Sequence, residues 1–303
     1  MIKTPVAFII FKRPDTTEKV FEAIRQAKPP KLLIIADGPR ADKPGEAEKC
    51  AATRAIIDRV DWDCEVLKNY TDVNMGCKRR VSSGLDWVFN TVEEAIILED
   101  DCLPHPTFFR FCEELLEKYR DDKRIMTIGG TNLFIEWKSN IQSYYFSNYF
   151  HCWGWATWKR VWNYYDVDMK LWSDPKVKER VRAVIADNRQ YFNRKKHLDN
   201  TYSGKVDSWD HQFFFMCLAH SGLSIRPSVN LISNLGFTKE ATHTTVSDPR
   251  SNLPLCSMTF PLKEPLDIVV DREHDYRQYK KVWQQSLSKR IFNKAKRLLL
   301  SRN

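Results

Sequence analysis

Three consecutive carboxylates, Glu99-Asp100-Asp101, close the apolar run Ala95-Ile96-Ile97-Leu98. Like charges packed this closely repel, so the position calls for a cation or for several hydrogen-bond donors. Hard oxygen ligands suit Mg²⁺ or Mn²⁺, which take one or two carboxylates and complete their shell with phosphate oxygens and water. A cation held there would neutralise charge building on a departing diphosphate. The plainer alternative is a solvated acidic turn at a strand end, and the motif alone does not separate the two. A second acidic candidate is Asp210, between Trp209 and the apolar run that starts at His211. A carboxylate in that place could take a proton from an attacking hydroxyl, or cap the following helix. The two roles are compatible, and Asp207 is the fallback.

These groups need elements to position them. Val6 to Phe11 is a continuous apolar run, as expected of a parallel strand buried on both faces. Thr16 to Ala27 carries apolar residues at helical spacing, and Leu32 to Ala36 is a second strand ending at Asp37-Gly38-Pro39. Glu46 to Val60 and Arg79 to Thr91 read as helices, Cys64 to Leu67 and Ala95 to Leu98 as strands. This alternation predicts an α/β fold with a mixed, mostly parallel central sheet flanked by helices, Rossmann-like in character. Ligands of such sheets sit at the carboxyl ends of the strands. Lys12-Arg13, Asp37-Gly38 and Glu99-Asp100-Asp101 all fall directly after strands.

The second half is less regular. Phe108 to Tyr119 predicts an amphipathic helix and Ile125 to Ile128 a strand. Lys176 to Lys196 predicts one polar surface helix, and His211 to Leu218 a buried one. Between them lies a tryptophan-dense stretch with Trp153, Trp155, Trp158 and Trp162, whose spacing cannot place all four on one helix face. Some must be core, and Trp153 and Trp155 are the first candidates to line a cleft. Residues 238–266, rich in Thr, Ser, Pro and Asp, read as loop. The expected organisation is one domain over 1–270, split into halves 1–128 and 129–270, with a tail over 271–303.

The net charge is +9, but Arg272 to Asn303 holds ten Lys or Arg against Glu273 and Asp275, which is +8 by itself. The rest of the chain is close to neutral, which excludes a broad nucleic-acid footprint. Leu287, Ile291, Leu298 and Leu299 alternate with basic residues in the tail. Such a pattern suits either a helix lying on an anionic membrane surface or one docked on the domain. Eight cysteines without a CxxC pair, and no apolar run of about 18 residues, predict a reduced cytoplasmic protein, peripheral at the inner membrane face if the tail engages lipid.

The pattern Ile97-Leu98-Glu99-Asp100-Asp101 resembles the metal-binding acidic motif of GT-A-fold glycosyltransferases, in the Glu-Asp-Asp form of the β-1,2-N-acetylglucosaminyltransferase branch. Phe11-Lys12-Arg13-Pro14 and Ala36-Asp37-Gly38 resemble that family's first and second nucleotide loops. Asn74-Met75-Gly76-Cys77-Lys78-Arg79 resembles its Asn-x-Gly segment, while Trp153-Gly154-Trp155 and Trp209-Asp210 resemble its acceptor-side motifs. The likeness runs from about residue 5 to residue 245 and rests on the order of the motifs. It implies Asp101 on Mn²⁺ or Mg²⁺, with Glu99 and Asp100 near ribose, donor sugar or metal-bound water. It implies Lys12, Arg13, Asp37 and Gly38 in the nucleotide pocket and Arg79 facing the diphosphate. Asp210 would be the base of an inverting transfer, with Trp153, Trp155 and Trp209 at the acceptor. His243 would be a late metal ligand, or a solvated loop histidine. The implied partners are a nucleotide-sugar donor, most readily a UDP-sugar, and a glycan or lipid-linked saccharide acceptor. Two rivals remain: a sugar-nucleotide nucleotidyltransferase, which would want a glycine-rich phosphate loop where Phe11-Lys12-Arg13-Pro14 stands, and a non-catalytic carbohydrate-binding protein.

Overall fold

The first strand, β1 (Val6–Ile10), is buried along nearly its whole length, as its unbroken apolar sequence requires. Helix α1 (Pro14–Ala27) follows after three residues. Proline in its first turn and Asp15 suit a helix N-terminus, while Val20, Phe21 and Ile24 form the buried stripe. It stops at Lys28, which takes a left-handed conformation and returns its N–H to Ile24 O. The same logic repeats through β2 (Lys31–Ala36), α2 (Glu46–Ala55), β3 (Glu65–Tyr70), α3 (Cys77–Thr91) and β4 (Glu94–Glu99). The structure, a computed structural model, describes residues 1–237 and 250–283.

The short β5 (Cys102–Pro104) leads into α4 (Thr107–Lys118), β6 (Ile125–Gly129), β7 (Tyr144–Ser147) and β8 (Trp155–Trp158). Then come α5 (Lys159–Trp162), α6 (Pro175–Ile185), α7 (Asn188–Tyr202), α8 (Asp210–Ala219), β9 (Leu223–Pro227), β10 (Ile232–Asn234) and α9 (Arg272–Trp283). Among the described residues, eight strands form one sheet in the order β3-β2-β1-β4-β8-β6-β9-β7, and β10 pairs with β5 in a small second sheet. β8 runs antiparallel to both β4 and β6, and β7 antiparallel to β9; the other pairs in the large sheet are parallel. The fold is therefore α/β with a mixed, mostly parallel sheet flanked by helices.

Several sequence expectations change. The single polar helix over 176–196 is two helices, α6 and α7, broken at Ala186, whose φ is 58°. Asp187 restarts the chain by accepting from Gln190 N. The tryptophan stretch is partly a strand: all four residues of β8 are buried, because β4 and β6 flank it on both edges. Strands β7 and β9 have no counterpart in the sequence expectations. The tail boundary also moves. Asp271, His274 and Asp275 are tied into the domain by Trp137, Tyr145 and Ser147, so residues up to Trp283 belong to its body. The basic stretch 287–300 and His243 lie outside the described residues. No helix among the described residues is long and apolar enough to cross a membrane, and all eight cysteines are free.

Candidate active site

Register brings the strand ends to one edge. Ile9 pairs with Glu99, Ile10 with Ala36, and Trp155 with both Ile97 and Gly129. Because β8 is reversed, its leading residues Trp153-Gly154 emerge where β1, β2, β4 and β6 finish. The order around β1 reverses between β2 and β4, which is the switch point where open α/β sheets place their ligands.

At that point Asp100 Oδ2 accepts from Phe11 N at 3.1 Å, tying the end of β4 to the end of β1. Arg13 Nη1 lies 2.6 Å from Asp101 Oδ2 and 3.7 Å from Asp100 Oδ1. Burial, and then the charges of Asp101 and Asp100, push the Glu99 carboxyl far above the ordinary range; burial and Asp101 push Asp100 up as well. Arg13 opposes both shifts. Gly236 crosses directly over this pair. A Cβ at that position would collide with Asp101 Oδ2 and stand 3.1 Å from Arg13 Nη1, so a residue with a side chain would force the Asp101 carboxylate to shift. Leu235 N donates to Asp101 O at 2.8 Å and fixes the crossing.

The loop after β2 is built around Asp37, whose carboxylate accepts from Gly38 N, Thr71 Oγ1, Asn74 Nδ2, Met75 N and Gly76 N at 2.9–3.2 Å. Five donors saturate a carboxylate, so Asp37 stitches the 71–76 segment to the end of β2 and has no acceptor capacity left for a base. Gly38 is required by the same seam, since a Cβ there would stand 2.5 Å from the Asp72 carbonyl carbon. Arg79 stays exposed on the first turn of α3, whereas Arg80 turns inward to Ala36 O and Asn69.

Lys12 and Arg40 converge on Glu46, a side chain 4% exposed at the start of α2. Lys12 Nζ reaches Oε2 at 2.6 Å; Arg40 forms a two-toothed contact at 2.9 and 2.6 Å and adds its backbone N–H at 2.9 Å. The Arg40 bonds above all hold the Glu46 carboxyl down at about 2. Both cations flank the Phe11 ring, at 5.4 and 5.9 Å. Glu46 escaped the sequence reading because a glutamate at a helix start is unremarkable; only the fold joins it to residues 12 and 40.

Asp210 is the first residue of α8, where Trp209 is the cap residue and makes no side-chain cap bond. Its carboxylate instead accepts from Ser208 Oγ, with Cys152 Sγ at 3.9 Å from the other oxygen. It acts electrostatically on Glu99, Cys77 and Cys152, so the fold brings it to the acidic cluster from 109 positions beyond Asp101. Asp207 lies by the start of α3, accepting from Lys78 N at 3.3 Å.

The aromatic expectations divide. Trp155 and Trp209 are core residues, stacked at 5.6 Å and packed on Phe150 and Phe213. Trp153 is half-buried at the edge, with His151 at 4.6 Å and Phe237 at 5.5 Å. Burial, and after it the charge of Arg226, keep His151 neutral by driving its pKa well below the usual histidine value. Trp153 is thus the one tryptophan of the three that is not fully buried.

Among the described residues, no group of three or more His, Cys, Asp or Glu side chains has the arrangement of a self-sufficient metal cage. The donor set still fits one Mg²⁺ or Mn²⁺ held through Asp101 and completed by phosphate oxygens and water. One feature supports that fit: Asp101 already holds a cation, the Arg13 guanidinium.

No family profile matches the chain, and no curated protein is similar to it in sequence. Solved structures give distant likenesses. An apo UDP-glucose pyrophosphorylase is 10% identical over 77% of this chain and 93% of its own, with a TM-score of 0.37. A UDP-glucose pyrophosphorylase complexed with UDP-glucose is 10% identical over 54% and 79%, with a TM-score of 0.30. The 4-diphosphocytidyl-2C-methyl-D-erythritol synthase from Anaerococcus prevotii is 11% identical over 57% and 78%, with a TM-score of 0.33. These proteins are of the nucleotidyltransferase type, which is the rival reading, and they lend no support to the Glu-Asp-Asp branch. Likenesses this remote carry no argument about chemistry, which has to come from the site.

Proposed function

We propose that this chain transfers a sugar from a nucleotide-diphosphate donor, most readily a UDP-sugar, to a hydroxyl of a glycan or lipid-linked saccharide, with inversion at the anomeric carbon. One observation carries the reading. Asp210 is not spent on capping α8, and its charge is felt at Glu99, in the acidic cluster that would receive the donor's diphosphate. Two carboxylate centres with different jobs are what such a transfer needs: one for the leaving group, one for the incoming hydroxyl.

In this reading the donor lies along the switch point, its nucleotide beside Phe11, Lys12 and the 37–38 loop and its diphosphate toward Asp101. A divalent cation there supplies charge neutralisation for the departing diphosphate. The acceptor rests on Trp153. Its hydroxyl oxygen bonds to the anomeric carbon as the bond from that carbon to the diphosphate oxygen breaks. The hydroxyl proton passes to Asp210, and the electron pair leaves with the nucleoside diphosphate. Ser208 orients the Asp210 carboxylate. Trp155 and Trp209 hold the start of β8 and of α8 in register, so they position Trp153 and Asp210 without touching substrate.

Nucleotidyl transfer is the second reading. Against it stands the segment after β1, Phe11-Lys12-Arg13-Pro14, which has no glycine to bring backbone N–H groups onto a triphosphate. The test of the first reading is Asp210→Asn. Transfer should fall by at least about 10² while affinity for UDP stays within about twofold. Normal turnover by this variant, or a product that keeps the donor's anomeric configuration, removes Asp210 as an inverting base.

A further inference from the structure

We propose that Arg13 is a built-in counter-ion of the acidic cluster that a divalent cation must displace, so that cation and nucleotide diphosphate bind as a coupled pair. The proposal rests on the glycosyl-transfer reading and extends it to the order in which the site fills. Arg13 Nη1 stands 2.6 Å from Asp101 Oδ2, and the two side chains are only 18% and 15% exposed. A Mg²⁺ or Mn²⁺ ion would need that same oxygen at about 2.0–2.2 Å. Leu235 N donates to Asp101 O, and the Gly236 backbone lies against the same carboxylate. A metal ion on that oxygen competes with the guanidinium for it.

Without a divalent cation the guanidinium pairs with Asp100 and Asp101, which partly compensates their buried charge. When a cation takes Asp101, Arg13 loses its partner and becomes available at the end of β1, where a planar guanidinium suits phosphate oxygens. A diphosphate therefore lowers the cost of releasing Arg13, and the cation lowers the cost of bringing a diphosphate beside the carboxylates. Linkage makes the two effects equal.

The experiment is Mn²⁺ titration, by calorimetry and by loss of the free-ion paramagnetic resonance signal, with and without UDP. Wild type should bind Mn²⁺ weakly alone and at least about tenfold more tightly with UDP. Arg13→Gln should bind Mn²⁺ alone about tenfold more tightly than wild type, and UDP should then add little. Equal affinity of Arg13→Gln and wild type for Mn²⁺ alone overturns the proposal while leaving the metal-dependent reading intact. Absence of Mn²⁺ binding to wild type even with UDP overturns both. If Arg13→Gln does not fold by circular dichroism, Arg13→Lys decides: it keeps the charge but lacks the fork that spans Asp100 and Asp101. Intermediate tightening supports the proposal, and wild-type affinity refutes it.

Discussion

Replacing Glu46 by Gln tests whether the two loops that carry Lys12 and Arg40, after β1 and β2, are held together by a single buried charge. The carboxylate receives four hydrogen bonds, three from Arg40 and one from Lys12. Its fall from the ordinary 4.5 to about 2 corresponds to about 3 kcal/mol at 1.36 kcal/mol per pH unit. Arg40 is one-third exposed, so solvent screening brings the expected loss to about 2 kcal/mol. The sign follows from the depressed value. The contribution is complete above pH 4.5 and fades as the pH falls toward about 2. Urea unfolding at pH 7 should therefore separate wild type from Glu46→Gln by about 2 kcal/mol, and the gap should narrow steadily between pH 4.5 and pH 3. A difference below about 0.5 kcal/mol at pH 7, or one that stays constant down to pH 3, would refute the argument.

Gly236→Ala should push Asp101 and Arg13 apart and weaken Mn²⁺-dependent UDP binding at least about tenfold, with far-ultraviolet circular dichroism unchanged. Trp155→Ala should cost about 3–5 kcal/mol of stability, whereas Trp153→Ala should cost less than about 1 kcal/mol and raise the acceptor KM instead. The reverse pattern in unfolding and kinetics would reassign the two tryptophans. From its sequence, the stretch 287–300 is expected to pellet with anionic liposomes at low salt; equal pelleting by a truncation after Trp283 would count against it.

The first half was legible in sequence because parallel strands buried on both faces write themselves as unbroken apolar runs. β1, β2 and β4 all do so, and chemistry falls directly after them in Lys12-Arg13, Asp37-Gly38 and Glu99-Asp100-Asp101. The second half hid its strands. Trp155-Ala156-Thr157-Trp158 has no period that distinguishes a strand from a helix, and only its position between β4 and β6 makes it β8. A left-handed residue at Ala186 splits a segment whose polar pattern looked continuous, with no glycine to mark the break. Position after a strand identified Asp37 but not its partners, since saturation by five donors depends on a loop 34 to 39 residues away. Gly236 and Glu46 matter through contacts made across the fold, which no local spacing records.

The central claim is glycosyl transfer from a nucleotide-diphosphate sugar, and phosphorus resonance of the nucleotide products tests it most directly. The full chain is incubated with UDP-glucose or UDP-N-acetylglucosamine, Mn²⁺ and pyrophosphate, with and without saccharide acceptors. The account predicts UDP as the nucleotide product, formed faster with an acceptor and lost in Asp210→Asn and Asp101→Asn, with pyrophosphate left unconsumed. Formation of UTP at the expense of pyrophosphate would contradict it and make the chain a nucleotidyltransferase.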